Sequence, residues 1–278
     1  MEKYILVDTS YMCYYRFFAV LNWYRHANKE EFAAIGDKDK YDWSNDTKFM
    51  TTYKRMFFKS IEKLFSEKFI KDTNIIFCCD PGNCDLWRKE IYKDYKGNRA
   101  DMSLKNNLYP VFDKTLDEII PELIEDNCVK NISMFKIAKI EADDIIAYLS
   151  KKILKNNAEN QIIILSADDD FTQLLNENTK LIDFRKKTFK EISDEESKKL
   201  LLEKILNGDK SDNIKKIFLK RMKKTVKEEL VNDSTALENY LKNNEKENEN
   251  FKLNQRLMDF RFVPEEINQK IGENINIF

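Results

Sequence analysis

The most informative stretch of this sequence is Ile162-Ile-Ile-Leu-Ser-Ala-Asp168-Asp169-Asp170, an apolar, β-branched run that ends in three acids. Such a run is typical of a parallel β-strand buried on both faces. Three further, mostly apolar runs end in acids: residues 4–7 before Asp8, 75–79 before Asp80, and 134–140 before Glu141-Ala-Asp143-Asp144. Because groups beyond the carboxyl ends of parallel strands converge on one crevice, the sequence predicts an acidic cluster at one edge of a sheet.

Each acidic motif alone has a simpler interpretation. Asp8 could cap a helix, and Asp80 before Pro81-Gly82 could begin a turn. Glu141-Ala-Asp-Asp could complement a helix dipole, and Asp168-x-Asp170 could cap a short helix. Their joint occurrence at four predicted strand ends favours a divalent-metal site, since carboxylates gathered in one crevice repel one another until cations neutralise them.

The residue types indicate which metal to expect. His26 is the only histidine and no CxxC pair occurs, so zinc is not expected. Oxygen ligands favour Mg²⁺ or Mn²⁺. Two such ions about 4 Å apart can activate water and stabilise the charge that develops on a phosphate during hydrolysis.

Composition limits the class of protein. The 278 residues are 42% hydrophobic, enough for one large domain or a core with a smaller appendage. Neither a membrane span nor a signal peptide is expected, and five irregularly spaced cysteines fit a reducing, intracellular setting. The formal net charge of −1 conceals two basic clusters, at 88–99 and 215–227.

Predicted strands alternate with helices and then give way to helices alone. We predict strands at 3–8, 75–79, 133–137 and 161–165, with edge strands at 180–184 and 187–192. Predicted helices cover about 47–67, 85–95, 109–125 and a segment opening at Glu141. This pattern predicts an α/β fold, with a mainly parallel αβα core over 1–193 and a helical region over 194–278. The asparagine- and glutamate-rich stretch 243–250 is expected to be a solvated loop.

Five motifs, in this order, resemble those of the structure-specific 5′-nuclease family: 5–8, 79–80, 141–147, 166–175 and 208–214. The likeness is greatest to the T-even phage ribonuclease H branch, through 87–89, 95–99 and 257–264. The resemblance covers essentially the whole chain. It implies a PIN-like core and a helix–three-turn–helix-like DNA-binding element in the C-terminal region.

The resemblance also implies a set of metal ligands. One Mg²⁺ would be bound by Asp8, Asp80, Glu141 and Asp143. A second would be bound by Asp168, Asp170 and Asp209, with Asp144 and Asp212 nearby or contacting through water. Mn²⁺ could substitute for Mg²⁺.

The basic segment after Asp80 resembles the family's helix above the active site. It would place Arg88, Tyr92, Tyr95, Lys96 and Arg99 along one helical face. Arg88 and Lys96 would act in catalysis by contacting the scissile phosphate, and Tyr95 would stack on a terminal base. Residues 98–130 would form an arch or clamp for single-stranded 5′ ends.

The later basic cluster departs from the family pattern. The family's hairpin there is rich in glycine, which builds a potassium-binding backbone nest, whereas residues 213–224 contain none. Long basic side chains are a substitute for contacting duplex phosphates: Lys215, Lys216, Lys220, Arg221, Lys223 and Lys224. Such binding should depend steeply on salt and little on base sequence.

We therefore predict a two-metal 5′-3′ exonuclease and flap endonuclease that acts in replication and repair. Its substrates would be DNA with 5′ flaps or nicks, and possible RNA–DNA ends. It would act as a monomer at an intracellular replication site of a phage, virus or host. A sliding clamp, docked at 275–278, or a single-strand-binding protein are further candidate partners.

Two alternative functions stay open. A PIN-type endoribonuclease shares the acidic crevice, although the Gly208-Asp209 motif and the basic tail favour the DNA enzyme. A catalytically silent nucleic-acid-binding protein is the other, and the intact set of acids argues against it.

Overall fold

The computed structural model describes residues 1–82, 85–98, 105–125 and 131–275. Its centre is a five-stranded, fully parallel sheet with strand order β3-β2-β1-β4-β5. The strands are β1 (Lys3–Asp8), β2 (Thr73–Cys79), β3 (Asn131–Lys136), β4 (Gln161–Leu165) and β5 (Thr179–Ile182). The strand order reverses between β1 and β4, which is where open α/β sheets form their ligand crevice.

Helices surround the sheet and, with the connections between them, make up the rest of the described chain. Seven of the described helices precede β3: α1 (Thr9–Ala27), α2 (Lys29–Ala34), α3 (Thr47–Glu62), α4 (Glu67–Lys71), α5 (Trp87–Ile91), α6 (Lys105–Lys114) and α7 (Ile120–Glu125). The long α8 (Ala142–Asn156) leads into β4. The C-terminal region holds α9 (Asp194–Asn207), α10 (Lys224–Asn232), α11 (Ser234–Asn243), α12 (Glu245–Met258) and α13 (Glu265–Asn274).

Side chains along the central strands alternate between two apolar layers. Ile5 and Val7 lie with α1, α3 and α6 on one face of the sheet. Leu6 and Ile164 lie with α8 on the other face. Both faces are therefore covered, and this is why the strands are continuous apolar runs instead of alternating apolar and polar residues.

A third apolar cluster holds the C-terminal helices together. It includes Leu206 of α9, Leu230 of α10 and Phe251 of α12, and it also takes in Tyr95 from the segment after α5. The last helix, α13, instead packs its buried Ile271 into the α8 layer. The helical region is thus attached to the sheet domain from two sides.

Several predicted elements differ from the structure. The helix predicted over 47–67 is two helices, α3 and α4, because Ser66 caps a new helix by accepting from Phe69 N–H. The helix predicted over 109–125 begins earlier and contains a π-helical turn at Thr115–Ile119. No strand forms at 187–192 within this described segment, where one isolated antiparallel bridge joins Phe189 to Ile182.

The loop prediction for 243–250 is wrong. Asn243 ends α11, residues 245–250 belong to the first half of α12, and Glu247 among them is buried. The Glu247 carboxylate accepts the backbone N–H of Leu219 at 2.9 Å and the hydroxyl of Tyr240. Contacts with Leu219 and Tyr240 therefore stabilise a helix in a stretch whose composition alone favours a loop.

No helix in the described ranges is both long enough and apolar enough to cross a membrane.

Candidate active site

The predicted acidic cluster forms at the carboxyl edge of the sheet. Asp8 ends β1 and Asp80 directly follows β2, while Asp143 opens α8 and Asp168 follows β4. Since β2, β1 and β4 are neighbours in the sheet, their ends bring these acids together. The four carboxylates are close enough to repel one another.

Hydrogen bonds orient two of these carboxylates. Asp8 accepts the backbone N–H of Tyr11 at 3.0 Å and the hydroxyl of Ser166 at 2.8 Å. Asp80 accepts the hydroxyl of Ser10 at 2.6 Å and the backbone N–H of Ala142 at 3.0 Å. Asp8 is thus both an N-cap of α1 and a member of the acidic cluster, so its two interpretations do not exclude each other.

Crowding of like charges shifts the pKa values upward. Loss of hydration and then the charges of Asp80 and Asp168 raise the pKa of Asp8 to about 7. Loss of hydration and the charge of Asp168 raise the pKa of Asp143 well above its usual value. A site that resists carrying this much negative charge is one that a divalent cation would stabilise.

Glu141 has the opposite electrostatic setting. Its carboxylate lies beside the Lys96 ammonium group and 2.8 Å from Nη1 of Arg88. Burial alone would raise the pKa of Glu141, but the positive charges of Lys96 and Arg88 lower it overall. Glu141 is therefore held ionised by the chain's own cations.

A second acidic group lies where β4 and α9 end. The Lys204 ammonium group is 2.6 Å from Oδ2 of Asp170 and 2.8 Å from Oδ2 of Asp209. Loss of hydration, followed by the charge of Asp168, raises the pKa of Asp170 to about 6. Burial opposes ionisation of Asp209 as well, but hydrogen bonds from Lys204 and Ser211 lower its pKa to about 2.

The acids are close together without being arranged as a metal cage. Within the ranges that the structure describes, no three His, Cys, Asp or Glu side chains form a group that could hold an ion as they stand. Four of the predicted ligands instead bond to the chain's own cations: Glu141 to Lys96 and Arg88, Asp144 to Arg88, and Asp170 and Asp209 to Lys204. The donor set itself, carboxylate oxygens with mutual repulsion, fits a hard divalent cation.

Asp144 does not face the cluster. Oδ1 accepts Nη2 of Arg88 at 2.7 Å, and Oδ2 accepts both Nη1 of Arg88 and Nε1 of Trp87. Both oxygens therefore accept hydrogen bonds inside the protein, and the contact of Asp144 with an ion through water stays a prediction. Asp212 lies at the edge of the cluster, where it accepts the Tyr95 hydroxyl at 3.3 Å.

The predicted nucleic-acid-binding helix is short, and two of its side chains are buried. Helix α5 ends at Ile91, and Lys96 lies in a turn with φ of +54°. Arg88 is 4% exposed and Tyr95 is 3% exposed, so neither is placed to contact a phosphate or stack on a base. Lys96 is nearer the surface, with 16% of its side chain exposed.

The middle of the range predicted as an arch, 98–130, is part of the packed core. Val111, Ile119 and Ile120 in that range are buried in the layer with α1 and α3. Arg99 lies outside the described residues, as do residues 100–104 and 126–130.

The later basic cluster is exposed. Its six side chains lie on the connection between α9 and α10 and on the first residue of α10: Lys215, Lys216, Lys220, Arg221, Lys223 and Lys224. A groove of about 600 Å³ lies beside this connection and is lined by Lys210, Asn213, Lys215 and Lys216 among others. Gly208 turns the chain here with φ of +72°, and a Cβ on it would lie 2.3 Å from the carbonyl oxygen of Ile214.

Sequence reasoning missed the residues that support the acids. Ser10, Ser166 and Trp87 each donate to an acid that is distant in sequence. Lys204 had only one signal, a basic residue in the last turn of a helix, which ordinarily compensates the helix dipole. Its contact with Asp170 depends on how α9 packs, which no spacing in the sequence reveals.

The chain belongs to a family of nucleases. Its residues 3–204 match the family described as 5′-3′ exonuclease, N-terminal resolvase-like domain.

Among curated relatives, the chain is similar to ribonuclease H of Enterobacteria phage T4. The two are 28% identical over 229 residues, which is 74% of this chain and 70% of the relative. It is also 35% identical over 119 residues to flap endonuclease Xni of Shewanella denitrificans, a match that covers 42% of this chain and 41% of the relative.

Solved structures show the same fold. The phage T5 D15 protein, crystallised with metal ions, matches over 98% of this chain and 97% of that chain, with a TM-score of 0.64 and 18% identity. A complex of the phage T5 D15 flap endonuclease with DNA and metal ions matches with a TM-score of 0.63 and 20% identity.

Proposed function

We propose that this chain hydrolyses phosphodiester bonds at 5′ flaps, nicks or 5′ ends of duplexes, using two divalent cations. The observation that carries the proposal is the convergence of Asp8, Asp80, Asp143 and Asp168 on the strand-order reversal between β1 and β4. Membership of the 5′-3′ exonuclease family supports the same chemistry. The solved relatives crystallised with metal ions and with DNA support the choice of cofactor and substrate.

In this proposal the first cation is held by Asp8, Asp80, Glu141 and Asp143, and the second by Asp168, Asp170 and Asp209. When bound, such ions lower the pKa of water and neutralise charge on a phosphate, and Mg²⁺ is the expected ion with Mn²⁺ as a substitute. The chain's own contribution is to orient the ligands. Ser166 and Tyr11 fix Asp8, while Ser10 and Ala142 fix Asp80.

Of the two residues predicted to contact the scissile phosphate, Lys96 keeps that role in the proposal. Its ammonium group neutralises Glu141 at the edge of the cluster, and its side chain is partly exposed. Arg88 has a different part in the proposal. It fixes Glu141 and Asp144 from inside the protein, and it therefore positions a ligand without contacting substrate.

The exposed basic residues between α9 and α10 are proposed to bind the phosphate backbone of duplex DNA. The helix–three-turn–helix-like element would be α9, this connection and α10. Flexible ammonium groups recognise phosphate and not base edges, so the proposal predicts recognition of DNA shape. The T4 relative is a ribonuclease H, which extends the candidate substrates to RNA–DNA hybrids.

The test is cleavage of a 5′-labelled flap duplex with and without Mg²⁺. We expect cutting near the junction that requires the ion and that Asp168→Ala abolishes. Asp37→Ala is the matched control, because Asp37 is an exposed acid paired with Lys40. Tight flap binding without cleavage in Mg²⁺ or Mn²⁺ would instead identify a silent binding protein. Cleavage of single-stranded RNA alone would identify an endoribonuclease.

A further inference from the structure

Lys204 lies between two acids that come from different parts of the chain. Its ammonium group bonds to both oxygens of Asp170, with a distance of 2.6 Å to Oδ2, and reaches Oδ2 of Asp209 at 2.8 Å. The side chain of Lys204 is 27% exposed, and those of Asp170 and Asp209 are 23% and 13% exposed. One ammonium group therefore bonds to three carboxylate oxygens at the rim of the acidic cluster.

Local structure aims these oxygens at Lys204. Asp209 uses its other oxygen, Oδ1, to accept the backbone N–H and the hydroxyl of Ser211 at 2.7 and 2.6 Å. The backbone of Asp170 is also held in place, since its N–H donates to Oδ1 of Asp168 at 2.9 Å. The oxygens that contact the Lys204 ammonium group are the ones that these turns do not use, namely Oδ2 of Asp209 and both oxygens of Asp170.

A lysine–acid pair on the same helix gives a comparison. Lys198, on the same helix α9, pairs with Asp194 one turn away, and their side chains are 66% and 75% exposed. Such exposed pairs along a helix are ordinary surface contacts. Lys204 differs because it joins two acids that are 39 residues apart in sequence.

We propose that Lys204 is an internal counter-cation, which takes the second cation's place on Asp170 and Asp209 and must leave these acids before a divalent ion binds them. This inference rests on the proposed function, which assigns Asp170 and Asp209 to the second ion. The ammonium group and the ion need the same oxygens, and two cations at one place repel each other, so their binding is mutually exclusive. Lys204 thus weakens the second ion site while leaving the first unchanged.

The same exclusion sets an order of ion binding. Lys204 bonds to two of the three acids assigned to the second site, whereas the ion pairs described at the first site involve one acid of the four, Glu141, with Lys96 and Arg88. The first ion therefore binds at lower metal concentration than the second. The second site fills only when the metal concentration is high enough to displace the lysine.

The test is Mn²⁺ binding to the full chain without DNA, measured by calorimetry and by electron paramagnetic resonance of free Mn²⁺. Lys204→Met keeps an unbranched side chain of similar length and removes the charge. We expect the weaker Mn²⁺ event to tighten about tenfold and the tighter event to stay unchanged, as fits removal of one partly exposed neighbouring charge. Lys198→Met is the matched control and should change neither event.

A second readout is thermal unfolding in EDTA. Lys204→Met leaves Asp170 and Asp209 facing each other without a cation, so its melting temperature should fall in EDTA and recover with Mn²⁺. Lys204→Gln, which retains hydrogen-bonding capacity, repeats the test if the methionine variant does not fold.

Unchanged or weaker binding of the second Mn²⁺ in both Lys204 variants would overturn the inference, because it would mean that Lys204 only supports the acids. Asp170→Asn and Asp209→Asn separate this failure from failure of the proposed function. If they remove the second event while Lys204→Met leaves it unchanged, only the inference on Lys204 is wrong. If they too leave Mn²⁺ binding unchanged, these acids do not hold an ion and the second metal site of the proposed function is wrong.

Discussion

At the scale of single residues, buried charge pairs decide which acids can take part in chemistry. Arg88 is surrounded by protein and donates to Glu141, Asp144 and the carbonyl oxygen of Leu257. Its partners come from two other segments of the chain, so it joins its own helix α5 to the start of α8 and to α12. A buried charge held in this way stabilises the arrangement of its neighbours more than it serves a ligand.

We expect Arg88→Met to destabilise the chain by about 3–5 kcal/mol, because it leaves Asp144 buried without its cationic partner. Urea unfolding measures this change. Lys139→Met is the control, since Lys139 forms an exposed pair with Glu90, and its effect should stay below about 1 kcal/mol. A variant that keeps full stability but loses affinity for DNA would restore the sequence-based prediction that Arg88 contacts phosphate.

The raised pKa of Asp8 predicts how stability depends on pH in the absence of metal. Its value of about 7 in the folded chain exceeds the usual 3.8, so the folded state keeps a proton that the unfolded state loses. Stability from this group is therefore present below about pH 4 and is lost as the pH rises to about 7. Unfolding in EDTA should show a loss of about 2–3 kcal/mol between pH 5 and pH 7.

Asp8→Asn is the control for this pH dependence, because an amide does not titrate. Its free energy of unfolding should change less between pH 5 and pH 7 than that of the unaltered chain. Mg²⁺ should stabilise the unaltered chain more at pH 8 than at pH 5. Equal pH profiles for the two chains would contradict the assigned pKa.

At the scale of elements, two short turns, one after α5 and one after Gly208, contact each other. The segment after α5 predicted as helix is a turn, in which Lys96 N–H donates to the carbonyl oxygen of Asp212 at 2.8 Å. This contact attaches it to the turn after Gly208. The connection between α9 and α10 carries no glycine beyond Gly208, and in the proposed function its basic side chains are the groups that would contact phosphates.

The double variant Lys216→Gln/Lys220→Gln should weaken duplex binding and reduce the slope of log Kd against log salt by up to about two, one for each lost phosphate contact. The effect should be the same for unrelated base sequences. Lys242→Gln/Lys252→Gln removes two exposed lysines from α11 and α12 and is the matched control. An unchanged salt slope in the first variant would mean that this connection does not bind DNA.

At the scale of the whole molecule, the sheet and the C-terminal helices share apolar layers. Helix α13 returns to pack on α8, and Tyr95 from the N-terminal part lies in the cluster of the C-terminal helices. The boundary predicted at residue 193 is thus crossed by packing in both directions. Such an arrangement favours unfolding of the two parts together.

Ile271→Ala should test this, because Ile271 is fully buried between α13 and α8. We expect a loss of about 2–5 kcal/mol and a single transition followed by both tryptophan fluorescence and circular dichroism. Leu200→Ala is the control, since Leu200 on α9 is 42% exposed. Two separate transitions in the unaltered chain would show that 194–278 folds independently.

The strands and the acidic edge follow from sequence because they depend on local rules. A continuous β-branched run must be buried on both faces, and an acid at its end must lie at the carboxyl edge, wherever the strand is placed. Contacts between residues that are distant in sequence do not follow from such local rules. The contacts of Lys204 with Asp170 and Asp209, the burial of Arg88 and Tyr95, and the helix at Glu247 all depend on how separate elements pack. Their energies come from charges and apolar surfaces that meet only after folding, so the folded chain alone determines them.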